Sequence, residues 1–138
     1  MKKKLKDAFM DIAFRFAECS TARRLKVGAI CVKHNRIISI GYNGTPKGWD
    51  NNCEDESENG ELTTKKCVIH AESNCLMKLA QSLGGAKNSR MFITHSPCYE
   101  CAKLIYQAGV KKVYYSKTYR SLDGVLFLKK CGIIVKRI

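Results

Sequence analysis

The sequence predicts a three-layer α/β domain on three observations. One stretch near the N-terminus has helical period, two aliphatic runs follow it across a short turn, and from residue 70 onward strand-like and helix-like segments alternate. The length, 138 residues, is that of one domain with one core, taken here as residues 1–138.

Residues 3–19 carry Leu5, Ala8, Phe9, Ile12, Ala13 and Phe16 at three- and four-residue steps, which predicts an amphipathic first helix. VGAICV (27–32) and RIISIGY (36–42), parted by Lys33-His34-Asn35, read as a hairpin of two strands. From GYNGTPKGWDNN through about residue 66 the chain reads as one long connection, of a length that in compact domains is functional or disordered. A second helix spans about His70 to Leu83, with Ala71, Cys75, Leu76, Leu79 and Leu83 on its buried side and Gly84-Gly85 as its stop. RMFITH (90–95) is a strand, and Pro97 sets φ for a third helix running to Ala108 and ended by Gly109. KVYYS (112–116) is a strand, Ser121 caps a fourth helix to Cys131, Gly132 stops it, and IIVKRI is the last strand. The order αββαβαβαβ gives five strands in a mixed sheet, the later ones parallel through right-handed crossovers.

Twenty-five basic against twelve acidic residues leave a formal charge of +13, which points to an anionic partner. Six of those acids, Asp50, Glu54, Asp55, Glu56, Glu58 and Glu61, crowd into DNNCEDESENGE, which reads as a solvated loop. No run of about twenty apolar residues exists, so no membrane span is expected, and Asp7, Asp11 and Arg15 interrupt what would be a leader. Eight cysteines beside ample aliphatic core indicate free thiols in a reducing, cytoplasmic setting, the host cytoplasm if the source is viral.

The chemistry concentrates at two predicted helix starts. His70-Ala71-Glu72 opens the second helix, and Pro97-Cys98-Tyr99-Glu100-Cys101 opens the third. Cysteines at i and i+3 share one face of a first turn, where unpaired N–H groups favour thiolates. One imidazole and two thiolates make three ligands for Zn²⁺, and three protein ligands leave a fourth position for water, the catalytic pattern. Glu72, two residues beyond His70, is placed to shuttle a proton. H-x-E followed by P-C-x-x-C is the signature of nucleobase deaminases, in which hydroxide attacks C4 of cytosine or C6 of adenine. Taken singly, the cysteine pair also suits a redox couple or a zinc ribbon. Arg23, Arg24 and Lys26, between the first helix and first strand, are candidates for binding phosphate, Arg24 and Lys26 foremost. They also fit a helix terminus whose cations meet the dipole. Asn43-Gly44 equally suits a tight turn.

With those motifs in place the chain resembles the cytidine deaminase superfamily, and within it the deoxycytidylate (dCMP) deaminases of compact bacterial and phage type. HAE and PCYEC mark only the superfamily. VGAIxV, RIIxxGYNGTPxG, the cysteine-bearing acidic loop and CAKLIxQAGxKxVxY carry the narrower likeness, over nearly the whole chain. The resemblance implies a cytidine deaminase-like α/β/α fold and hydrolysis of dCMP to dUMP and ammonia, supplying thymidylate synthesis. It implies a homohexamer activated by dCTP and inhibited by dTTP, the effector arriving with Mg²⁺. Carried onto this sequence, it makes Asn43 the residue that holds the sugar and Gly44 and Thr45 candidates for the effector site. Tyr119 lies where the family places a tyrosine near phosphate, and Ala71 counts among the substrate-binding residues. Some relatives hold a structural zinc, but Cys19, Cys53, Cys67 and His95 show no ligand-pair spacing. Cys31, Cys75 and Cys131 read as buried free thiols, and His95 as a packing or orienting residue. Trp49 is exposed by its loop. Two rivals stand beside this reading. One is a deaminase of tRNA or single-stranded DNA, which the charge would suit although the GYNGTP loop speaks for a free nucleotide and against nucleic acid. The other is a zinc-stabilised protein without catalysis, which would have no use for Glu72.

Overall fold

The structure, a computed structural model, describes residues 1–138. Helix α1 (Lys3–Ala17) leads into β1 (Gly28–Lys33) and β2 (Arg36–Tyr42), then β3 (Glu54–Glu56) and β4 (Leu62–Thr64). Helix α2 (Ala71–Ala80), β5 (Arg90–His95), α3 (Tyr99–Gln107), β6 (Lys112–Lys117), α4 (Asp123–Lys130) and β7 (Ile134–Arg137) complete the chain. The five long strands form one mixed sheet in the order β2-β1-β5-β6-β7, with β2, β1 and β5 antiparallel in turn and β5, β6 and β7 parallel. The main sheet thus has the five strands and mixed direction that the sequence predicts.

Strand alternation builds the layers. From β1, Ala29 and Cys31 face α2, α3 and α4, where Leu76, Leu79, Ile105, Val125 and Leu128 pack with Met91, Ile93 and Val113. Ile30 and Val32 point the other way, against Phe9, Met10 and Ala13 of α1, with Phe92 and Tyr114 stacked at 4.8 Å between centroids. Each such buried aliphatic or aromatic side chain contributes about 1.5–3 kcal/mol. Between β1 and β2 the turn is only His34-Asn35, at φ 49° and 57°, the paired left-handed geometry of a type I′ hairpin.

The structure corrects five expectations. The acidic stretch is not merely a solvated loop: β3 and β4 form an antiparallel hairpin with Glu54 opposite Thr64, and Glu54 is only 2 % exposed. Helix α2 stops at Ala80, and Leu83 is fully exposed, because Leu79 is the last of the series to reach the core. Pro97 precedes rather than opens α3, whose N-cap is Cys98. Likewise α4 begins at Asp123 behind Leu122, although the Ser121 hydroxyl does accept the Asp123 N–H at 3.0 Å. Cys31 and Cys75 are buried as expected, whereas Cys131 is half-buried.

Candidate active site

Ligands in open α/β sheets gather outside the carboxyl ends of the parallel strands. Here that end collects the last residues of β5, the loop after β6, the start of β1 and the exit of β2. Two contacts without side chains bring the helix starts there. A Cβ on Gly41 of β2 would lie 2.3 Å from the Ala71 carbonyl oxygen and 2.6 Å from the Cys75 nitrogen, so glycine lets α2 settle onto β2. Gly124 of α4 allows the same closeness to the Pro97 carbonyl oxygen, where a Cβ would sit at 2.2 Å. A bridge between Gly44 and Ile69, with bonds of 3.1 and 2.8 Å, ties the GYNG segment to the residue before His70.

His70 is the N-cap of α2 and Cys98 that of α3, both with extended backbone, and Cys101 lies in the first turn of α3. Their side chains converge. His70 Nδ1 is 3.6 Å from Cys98 Sγ and 3.4 Å from Cys101 Sγ, and the three donor atoms all lie within 4.8 Å of one another. A tetrahedral ion with Zn–N and Zn–S bonds of about 2.0–2.1 and 2.3 Å requires N···S separations of about 3.6 Å. The donor set and its spacing therefore fit zinc. With only protons to share, Cys98 is the thiolate: hydrogen bonding from Cys101 and His70 draws it down to about 4, and the Cys101 N–H donates to its sulfur at 3.4 Å. Cys101 is pushed up by its bond to Cys98 and by burial, and His70 is raised by its bond to Cys98.

Glu72 lies one step into α2 and is 5 % exposed. Burial pushes its carboxyl up to about 7, against the pull of its own backbone N–H and of His70. Beside it is a cavity of about 70 Å³, walled by Ala71, Asn43, Val27, His95 and Ser96 and continuing to Arg24 and Tyr119. His95 thus contributes to the site, its Nδ1 2.9 Å from Thr94 Oγ1. Asn43 is held at both ends of its amide: Oδ1 accepts the Val27 N–H and Nδ2 donates to the Leu25 carbonyl, each at 2.8 Å. That leaves one amide N–H and one lone pair directed elsewhere.

The cations divide sharply. Arg24 lines both the cavity and an adjoining open recess of about 470 Å³. Its guanidinium donates to Tyr119 Oη at 2.7 Å and to Thr64 Oγ1 at 3.2 Å, both neutral groups. Arg23 instead pairs with Glu54 and Glu56, at 3.8 and 3.5 Å. Lys26 is exposed and lines neither space. Arg24, Leu25 and Val27 line the cavity while Lys26 between them does not, so the structure does not bring Lys26 to the site. Gly44 and Thr45 line a separate recess of about 530 Å³ with Lys47 and Lys78.

Cys19 is exposed, Cys53 buried and Cys67 half-buried, and the His70, Cys98 and Cys101 group is the one cluster of three or more donors. Trp49, 61 % exposed, lines none of these spaces. Sequence reasoning missed Glu54, Thr64, Ser96 and Arg120. The Ser96 hydroxyl accepts the Tyr119 N–H at 2.8 Å, and Arg120, at φ 44°, lines the open recess. Only Ser96, a polar residue between β5 and the cysteine motif, left a signal in the sequence.

A family model, the cytidine and deoxycytidylate deaminase zinc-binding region, matches residues 3–117. Human deoxycytidylate deaminase is 39 % identical over 151 residues, which cover 92 % of this chain and 82 % of that protein. Deoxycytidylate deaminase of enterobacteria phage T4 is 33 % identical over 147 residues, covering 80 % and 76 %. Among solved structures, that of the dCMP deaminase from cyanophage S-TIM5 in complex with dCMP and dUMP matches with a TM-score of 0.93 at 46 % identity, covering 100 % of this chain and 99 % of that one.

Proposed function

The chain belongs to the family of cytidine and deoxycytidylate deaminases, and from that membership we propose that it hydrolyses dCMP to dUMP and ammonia. The observation that carries the choice of substrate is Arg24. Its charge is uncompensated by any acid, and it lines the cavity that begins at Glu72, so a pyrimidine base inside and a 5′-phosphate outside suit one ligand.

His70, Cys98 and Cys101 would hold zinc, which when bound supplies a hydroxide nucleophile near neutral pH. Glu72, buried beside the ligands, would pass one proton of the attacking water to N3 of the base and then the remaining hydroxyl proton to the exocyclic nitrogen, so that the C4–N bond breaks to leave C4=O and ammonia. Ala71 packs at the base, and the free N–H of Asn43 is available to the sugar. Arg24, with Tyr119 against it, binds the phosphate; Lys26 is left out of this role.

Separate observations support the finer parts of the reading. Gly44 and Thr45 share a recess with Lys47 and Lys78, cations suited to a nucleoside triphosphate such as dCTP or dTTP arriving with Mg²⁺. Exposed Tyr99, Leu104, Tyr106 and Leu126 on α3 and α4 suit contact between copies in a homohexamer. Free cysteines and the absence of a helix long and apolar enough to cross a membrane accord with a cytoplasmic enzyme feeding thymidylate synthesis.

The deciding experiment measures ammonia release from dCMP, CMP, deoxycytidine, dCTP and a cytosine- or adenine-bearing oligonucleotide, with and without dCTP and dTTP. Preference for dCMP is expected, raised by dCTP and lowered by dTTP at low substrate. Turnover on the oligonucleotide alone would replace this reading with that of a polynucleotide deaminase.

A further inference from the structure

Arg24 cannot bind a phosphate in a fixed place unless something fixes Arg24, and the β3–β4 hairpin is built to do so. Its Glu54 carboxylate, 2 % exposed, accepts the backbone N–H of Arg23 at 3.1 and 3.0 Å and that of Arg24 at 3.1 Å. Two successive backbone N–H groups aimed at one carboxylate form an anion-binding concavity, and a buried carboxylate is tolerated only with such partners. Directly across the hairpin, Thr64 pairs with Glu54 in register, and its hydroxyl accepts from Arg24 Nε at 3.2 Å. One rung of the hairpin therefore holds the same arginine by its backbone and by its side chain. The far end of that guanidinium meets Tyr119 Oη at 2.7 Å, and Tyr119 is itself anchored through its N–H to Ser96 Oγ.

The charges are sorted by the same rung. Arg23 turns to Glu54 and Glu56 and Lys65 to Asp55, so the acids of β3 are paired with cations that do not line the cavity. The Arg24 guanidinium meets only a neutral hydroxyl of the hairpin and keeps its charge for a ligand.

We propose that the Glu54–Thr64 rung is a positioning device for 5′-phosphate recognition, setting the place and the available charge of Arg24. This rests on the reading of the site as one for a pyrimidine 5′-monophosphate. Glu54 lines neither space, whereas Thr64 borders both with its hydroxyl against Arg24 Nε. Both act through Arg24, so their loss weakens phosphate-dependent binding without touching the chemistry at Glu72.

The test is calorimetric titration of zinc-loaded protein with dUMP and with deoxyuridine, on wild type, Thr64→Val, Thr64→Ser and Glu54→Gln, with dCMP turnover followed in parallel. Thr64→Val keeps the shape of the side chain and removes the acceptor. It should weaken dUMP about tenfold, the scale of one lost hydrogen bond to a charged group, and leave deoxyuridine unchanged. In turnover the loss should fall on KM rather than kcat, Thr64→Ser should restore it, and Glu54→Gln should weaken dUMP in the same direction. Equal weakening of both ligands, no weakening in Thr64→Val, or failure of Thr64→Ser to restore dUMP binding would overturn the proposal. So would a wild type that binds dUMP no more tightly than deoxyuridine. If dUMP binding responds as expected while dCMP releases no ammonia, the proposed reaction fails and the positioning device stands.

Discussion

Glu72 and its three neighbours divide the chemistry among themselves by environment. A carboxyl that burial lifts to about 7 is matched to moving protons near neutrality, because it gives and takes them at comparable cost. Glu72→Gln, which keeps the volume and removes the exchange, should lower kcat for dCMP by about 10²–10⁴-fold while metal analysis still finds one zinc per chain. The ligands make a second prediction. Cys98 lies near 4 and is a thiolate at neutral pH, whereas Cys101 is raised and keeps its proton. Metal binding must displace the proton from Cys101, so zinc loading at pH 7 should release about one proton, with a fraction more from His70, and zinc affinity should rise with pH. Below about 4 Cys98 also protonates and affinity should fall more steeply. Potentiometric titration during zinc addition and metal affinity across pH read both effects. The motif residues were legible because their spacing alone places three candidate ligands at two helix starts. The exclusion of Lys26 was not, since which of three neighbouring cations meets the cavity depended on tertiary contacts of the segment between α1 and β1.

Among the elements, α1 to α4 and the five sheet strands were readable from periodicity and from local stops, properties that each segment carries in itself. The β3–β4 hairpin was not. Each strand has three residues, EDE has neither apolar alternation nor β-forming side chains, and Glu54 is buried by partners thirty residues earlier in the chain. Likewise the end of α2 was overdrawn because Leu83 continues the helical period but finds nothing to pack against. Packing between elements yields a third prediction. In Gly41→Ala the new Cβ meets backbone of α2 at 2.3 and 2.6 Å, atoms that cannot move without moving His70 and Glu72. A stability loss of about 1–3 kcal/mol is expected, together with lowered zinc content. Gly84→Ala, which meets nothing within 4 Å, should leave the thermal midpoint nearly unchanged. Thermal denaturation with metal analysis compares the two.

For the whole molecule, the zinc ligands come from the N-termini of α2 and α3, so the ion would tie together helices that the chain joins only through β5. Anything bound by the folded state and not by the unfolded one adds stability in proportion to the logarithm of its saturation. Stripping zinc with a strong chelator should therefore lower the midpoint, on the order of 10 °C for about 3 kcal/mol in a chain of this size, and restoring zinc should reverse it. Fluorescence of Trp49 is a poor reporter, since that side chain is 61 % exposed; circular dichroism serves better. By itself the sequence determined the α/β class, the five strands of the main sheet and the candidate residues His70, Glu72, Cys98 and Cys101, because periodicity and short-range spacing are written along the chain. Only the tertiary structure decided which cation faces the cavity, what holds it there and which acid is buried. Those outcomes depend on side chains thirty to ninety-five residues apart, Arg24 with Glu54, Thr64 and Tyr119, and no local pattern encodes a contact made that far along the chain.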